Sequence, residues 1–148
     1  MKVVVQRVDW AKLNIGGNLH CSINKGILVL LGFTHQDSNS LFDWFCNKLI
    51  NLRIFNDEQG KMNLSVRDFG GEIMLVSNFT LYGDAMRGFR PSYSDAMVPT
   101  KAEMLYNEFV AYFQKSYPDT KIVSGVFGAM MNIEFVNNGP VTIILEKD

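Results

Sequence analysis

The chain is poor in the residues that most enzyme chemistry relies on. Among 148 residues there are two histidines, His20 and His35, and two cysteines. Two histidines leave no room for a histidine-rich metal site. A Ser-His-Asp or Cys-His machine has to use one of those two. Cys21 and Cys46 fit no C-x-x-C spacing and read as reduced thiols in a cytosolic protein. Net charge is also lacking: 14 Lys plus Arg stand against 15 Asp plus Glu. No global basic field exists for gripping nucleic acid, so an RNA partner must be held by a local patch or by one end. No apolar run approaches the roughly 18 residues of a membrane span. The opening Met1-Lys2-Val3-Val4-Val5-Gln6-Arg7 does not read as a signal peptide, because its apolar core is short and charge interrupts it. The expected location is the cytoplasm, with no membrane partner. Repeats, linkers and low-complexity segments are absent too, so residues 1–148 read as one domain.

What is present is a globular composition, 47% hydrophobic and 20% charged, patterned first as strands. Val3, Val5 and Val8 mark an opening strand. Trp10–Ile15 and Leu19–Ile23 flank Gly16-Gly17-Asn18 and predict a hairpin. After a turn at Asn24-Lys25-Gly26, the run Gly26–Phe33 is apolar on both faces and predicts a fully buried strand. Leu41, Phe45, Leu49 and Leu52 then recur at helical spacing behind Asp37–Ser40, which predicts a helix of about 14 residues. Glu72–Phe79 is a further strand. Gly83–Pro99 is a long irregular stretch of the kind that often carries function. Thr100-Lys101-Ala102-Glu103 has the form of a capping box. The helix it opens is predicted to bury Leu105, Phe109, Tyr112 and Phe113 and to end at Pro118-Asp119. Lys121–Gly125, Met130–Val136 and Val141–Glu146 are extended, with a tight turn Asn137-Asn138-Gly139-Pro140 between the last two. Strands, helix, strand, helix, strands is an α+β order.

Four places invite a chemical reading. Ser77-Asn78-Phe79-Thr80-Leu81 lies where a buried strand runs into the long loop, and strand ends feeding loops are common sites. Local backbone satisfaction by Ser77 and Thr80 is the plainer reading. Gly139-Pro140 is turn chemistry. A cis bond there would aim two consecutive carbonyls the same way, as acceptors for an ammonium group. Arg87 and Arg90 flank Phe89, an arrangement suited to phosphate and base contact, or simply a solvated loop. His35 follows a buried strand as either a general base or an incidental loop residue. Met130 and Met131 read as core.

Taken together, these segments resemble the D-aminoacyl-tRNA deacylase family, also called the D-tyrosyl-tRNA deacylase family, along essentially the whole chain. The similarity runs through the opening Val-Val-Gln-Arg-Val and Gly26–Gly32. It continues through Asn51-Leu52-Arg53-Ile54-Phe55, Gly60-Lys61-Met62-Asn63, Arg90-Pro91-Ser92 and Phe127-Gly128-Ala129. Two segments define the family, S-Q-F-T-L and N-x-G-P-x-T. Here they read Ser77-Asn78-Phe79-Thr80-Leu81 and Asn137-Asn138-Gly139-Pro140-Val141-Thr142. Asn78 departs from the family glutamine and is one methylene shorter. Asn138 stands where aspartate is common.

The resemblance implies a barrel-like sheet with two long helices, assembled as a homodimer. It implies hydrolysis of the ester joining a D-amino acid to the 3′ end of tRNA, with glycyl-tRNA as a second substrate. L-aminoacyl-tRNA is rejected by Gly139-Pro140 entering from the partner subunit, and Arg7 buttresses that turn. Thr80, Phe79 and Ser77 form the implied catalytic set. Asn78, Gly139, Pro140, Phe89 and Met131 bind substrate, and Arg87 and Arg90 meet the tRNA. Thr80 is the obvious nucleophile, but no histidine is evident to activate it. Water attack helped by the ribose 2′-hydroxyl is therefore expected, with backbone N–H groups of Asn78, Phe79 and Thr80 available to the oxyanion. No metal or cofactor is implied. The alternative is a non-catalytic module that binds RNA ends or D-amino acids.

Overall fold

In the computed structural model, which describes all 148 residues, β1 (Lys2–Ile15) runs unbroken through the boundary predicted near Val8. Its pairing register shifts twice between Gln6 and Ala11, so the strand bends where the sequence suggested a break. β2 (Asn18–Ile23) folds back on its second half through Gly16-Gly17, as expected for a hairpin. β3 (Gly26–Gly32) pairs antiparallel with its first half. β6 (Glu72–Ser77) lies parallel to β3, and β7 (Ile122–Ser124) lies parallel to β6. β4 (Phe55–Asn56) and β5 (Met62–Leu64) form a separate small ribbon. The last strand, β8 (Met131–Glu146), pairs with both halves of β1.

The period-two alternation separates two cores. Val3 and Val5 of β1, Ile27, Val29 and Leu31 of β3, and Ile73 and Leu75 of β6 face the helices. Val8, Ala11, Leu13, Ile23, Leu28, Met74 and Val76 face the other way. The sheet curls around this second set until β2 meets β7, where the Cys21 thiol donates to the Ser124 carbonyl at 3.6 Å. The result is a nearly closed barrel with both helices on its outer face. β3 is buried on both sides, as its unbroken apolar run predicted; β6, expected only as a further strand, is buried on both sides as well.

The helices depart from the sequence reading at their ends. α1 (Phe42–Asn51) is ten residues long, because a 3-10 turn occupies Asn39–Leu41 and Leu52 is already extended. α2 (Pro99–Ser116) starts one residue before Thr100, with Val98 at the N-cap and no side-chain cap bond. The predicted capping box does not form. Pro99, with its φ preset for the first helical turn, starts the helix instead. The buried stripe is Ala102, Tyr106, Phe109 and Phe113, while Tyr112 is exposed and Leu105 only half-buried. Neither helix is long and apolar enough to cross a membrane.

The largest correction concerns Asn137–Pro140. These residues do not turn the chain between two strands. They bulge within the single strand β8: Thr142 pairs with Gln6 and Asn137 pairs with Val8, so residues 138–141 all stand opposite Arg7. The Gly139-Pro140 bond is cis.

Candidate active site

The Ser77–Leu81 segment begins as ladder and ends as turn. Asn78 N–H donates to the Leu31 carbonyl at 2.7 Å, adding one rung to the β3–β6 pairing. The chain then tightens into a 3-10 turn, Phe79–Tyr82, with Asn78 as its N-cap. Asn78 Oδ1 accepts from Thr80 N–H at 3.2 Å and from Thr80 Oγ1 at 2.5 Å. Two of the three expected oxyanion donors are therefore committed inside the chain: Asn78 N–H to Leu31 and Thr80 N–H to Asn78. Phe79 N–H alone has no acceptor in the chain. The Thr80 hydroxyl gives its proton to a neutral amide oxygen, which is not a base able to activate a nucleophile.

Ser77, Asn78 and Phe79 line a cleft of about 780 Å³. The long loop supplies Tyr93 through Pro99, with Asp95 left out of the lining; the connection before β8 supplies Phe127 through Met130, and β8 itself adds Met131. Phe79 and Tyr93 meet edge to face, ring centroids 5.0 Å apart. No carboxylate, lysine or arginine lines the cleft. His35 lines it, with Nε2 2.7 Å from the Ser94 carbonyl. A carbonyl only accepts, so that nitrogen carries the proton. Thr34 Oγ1 donates to the Asp95 carbonyl at 2.7 Å beside it. These two bonds tie the cleft rim to the end of β3. No cluster of three or more His, Cys, Asp or Glu side chains is placed to hold a metal ion.

Of the remaining predicted residues only Met131 lines this cleft; Thr80, in the turn that carries Phe79, does not. Arg87, Phe89 and Arg90 occupy an exposed loop tip closed by the Asp84–Ser92 pairing, and neither arginine has an ion-pair partner. Met131 is half-buried on the cleft wall, but Met130, read as core, is 86% exposed. Gly139 and Pro140 are exposed on the bulge and do not line the cleft of their own chain.

The bulge is held by side chains from β1. Arg7 is buried; its Nε donates to the Asn138 carbonyl at 2.9 Å and its Nη1 to the Ile54 carbonyl at 2.6 Å. Gln6 Oε1 accepts from Asn137 Nδ2 and from Thr142 Oγ1. Asn137 Oδ1 accepts from Val141 N–H at 3.1 Å, spanning the bulge. These bonds explain the N-x-G-P-x-T spacing: the outer Asn and Thr clamp the segment from both ends. Asn138 Nδ2 donates to Asp9 at 2.8 Å. An aspartate at 138 could not make that bond, so the departure from the family pattern fits a local carboxylate. Sequence reasoning missed Tyr93 and the Met97–Pro99 stretch. Their only sequence signal was membership of the long loop.

The same architecture occurs in solved structures. One, described as "a probable eukaryotic D-amino acid tRNA deacylase", superposes with a TM-score of 0.82 at 16% identity, covering 97% of each chain, and shows the shared fold alone. Another, described as "c-Myc DNA Unwinding Element Binding Protein", reaches a TM-score of 0.93 at 42% identity over 100% of this chain and 99% of that one. The class is thus the small α+β fold with a near-closed sheet that these proteins share. The sequence profile of the D-Tyr-tRNA(Tyr) deacylase family matches residues 4–146, and the chain belongs to that family. Relatives named D-aminoacyl-tRNA deacylase align nearly end to end. The one from Thermosipho melanesiensis is 49% identical over 147 residues, 99% of this chain and 97% of the relative. The Bacillus velezensis relative is 43% identical over 147 residues, 99% of each chain. The name describes a hydrolase acting on an ester bond.

Proposed function

We propose that this chain hydrolyses the ester bond of D-aminoacyl-tRNA, releasing free D-amino acid and tRNA, and so proofreads chirality in the cytoplasm. The observation that carries the reading is the placement of the Ser77–Phe79 segment on the cleft of a chain that belongs to a deacylase family over residues 4–146. The ester carbonyl is expected at Phe79 N–H, the open backbone donor of that segment. One such donor is typically worth about 3 to 4 kcal/mol to an oxyanion. Water attacks, assisted by the terminal ribose 2′-hydroxyl; Ser77 shapes the pocket directly and Thr80 through the turn that carries Phe79.

The working unit in this reading is a homodimer. β8 is sixteen residues long and pairs only with β1, which leaves its second edge open. A long open edge favours pairing with another chain, and a second copy is the partner always at hand. Gly139 and Pro140, absent from their own chain's cleft, then enter the partner's. Their carbonyls receive the substrate ammonium group, and an L side chain is excluded by collision. Glycine has no side chain to exclude, so glycyl-tRNA is a second substrate. Arg87, Phe89 and Arg90 meet the acceptor end. With so few cationic contacts, affinity falls only modestly with salt.

A second reading, a non-catalytic module for RNA ends or D-amino acids, is favoured by the DNA-binding description of the 42% identical structure. One assay separates the two. Matched D- and L-tyrosyl-tRNA, with glycyl-tRNA beside them, are incubated with the protein and a chelator. Release of the D and glycyl esters with the L ester spared is expected. No release above the spontaneous rate sinks the enzyme reading and favours the binding module.

A further inference from the structure

The family glutamine is replaced here by Asn78, and the hydrogen bonds of that residue assign it a different kind of role. We propose that Asn78 is a positioning residue. Its side-chain oxygen locks the Phe79–Tyr82 turn and the Thr80 hydroxyl, and its amide does not contact substrate. This rests on the deacylase reading of the site.

The backbone at Asn78 is extended, φ −147° and ψ 90°, the conformation of an N-cap. From there an asparagine oxygen reaches the N–H two residues on, closing a ring that imitates a backbone turn. The extra methylene of glutamine breaks that ring size. Here the oxygen takes both donors of Thr80, at 3.2 Å and 2.5 Å. The segment is pinned on the other side by Asn78 N–H on Leu31 and closed by Gly83 N–H on the Thr80 carbonyl at 2.9 Å. Phe79 N–H lies between these fixed points, so its direction is set by Asn78 on one side and Thr80 on the other. The Thr80 hydroxyl, its proton spent, offers only lone pairs to anything that approaches. Shortening the side chain therefore exchanges reach for rigidity at the residue whose N–H is open.

Three variants decide between positioning and direct contact. Asn78→Asp keeps the acceptor oxygen and loses the amide donor. Asn78→Gln keeps the donor and moves the acceptor. Asn78→Ala loses both. Each is compared with wild type for kcat and KM on D-tyrosyl-tRNA, and for hydrogen exchange at the Thr80 amide. The exchange measurement reports the cap whether or not the ester is cleaved, so loss of the cap and absence of deacylase activity are told apart.

With positioning, Asn78→Asp keeps the Thr80 amide protected, whatever its added charge beside Phe79 N–H does to kcat. Asn78→Gln and Asn78→Ala expose the amide and lower kcat about tenfold, the loss expected from one cap, with KM nearly unchanged. Full kcat in Asn78→Gln with the Thr80 amide exposed overturns the proposal, because the reaction then needs the amide and not the cap. Unchanged Thr80 exchange in Asn78→Ala overturns it as well. Combining Asn78→Ala with Thr80→Val is expected to cost no more than the larger single loss. Multiplied losses show two independent residues.

Discussion

Arg7 offers a sharp test of how the bulge is built. The residue is 8% exposed and its guanidinium makes no ion pair; main-chain carbonyls take its charge. Arg7→Ala removes the bonds to Asn138 and Ile54 and a weak third contact to Asn56 at 3.4 Å. Hydrogen bonds from a charged donor contribute roughly 1.5 to 3 kcal/mol each. Ile54 is itself buried, so its carbonyl loses its donor with little access to water. Relief of the buried charge and regained side-chain freedom offset part of the loss. The net expectation is a destabilisation of about 3 kcal/mol, or roughly 6 to 12 °C in Tm for a domain of this size. Arg7→Lys keeps the charge, but a single ammonium cannot span two carbonyls, so about half the loss remains. Urea unfolding at fixed protein concentration, with the m-value unchanged, measures the effect. D- and L-tyrosyl-tRNA deacylation by the same variants reads the position of Gly139-Pro140, and discrimination should fall with stability. A stability change under about 1 kcal/mol in Arg7→Ala, with discrimination intact, would refute the claim that this side chain fixes the bulge.

Two further perturbations test separate parts of the structure. Gly139 has φ +132°, and a Cβ there would lie 2.8 Å from both Val141 N and Val141 Cγ2 and 3.0 Å from the Arg7 guanidinium. Gly139→Ala is therefore expected to cost about 1 to 3 kcal/mol and to weaken the preference for the D ester, read by paired D and L deacylation assays. Burial, reinforced by nearby Asp43, pushes the Cys46 thiol up to about 12. Between the ordinary thiol value and that one, the unfolded chain releases a proton that the native chain retains. Stability then falls as pH rises from about 9 toward 12, by at most about 1.4 kcal/mol per pH unit from this group. Urea midpoints measured across that range should fall less steeply in Cys46→Ala, and native Cys46 should resist alkylation at pH 8 until the chain unfolds.

Much of the fold was legible because it depends on short-range alternation. The unbroken apolar run of β3 announces burial on both faces, and Gly16-Gly17 announces the hairpin. The α2 stripe was legible only approximately: the spacing of apolar residues allowed Tyr112 as readily as Tyr106, and only the sheet beneath it selects one. The capping box failed for a local reason that was present in the sequence, Pro99 one residue earlier. The Asn137–Pro140 error was different in kind. A Gly-Pro turn and a Gly-Pro bulge have the same composition. They differ in whether the flanking strands pair with each other or with a third strand, and β1 lies more than a hundred residues away.

The candidate site divides in the same way. The sequence by itself singled out two segments, Ser77–Leu81 and Asn137–Thr142, through their resemblance to the family motifs, and its scarcity of histidine discourages a charge-relay mechanism. Only the tertiary structure decided what each residue is free to do. Leu31 claims Asn78 N–H, the Asn78 side chain claims Thr80, and Arg7 reaches across the sheet to the carbonyl of Asn138. A hydrogen bond takes a donor out of use, and its partner is a matter of position in space, which residue spacing along the chain does not encode.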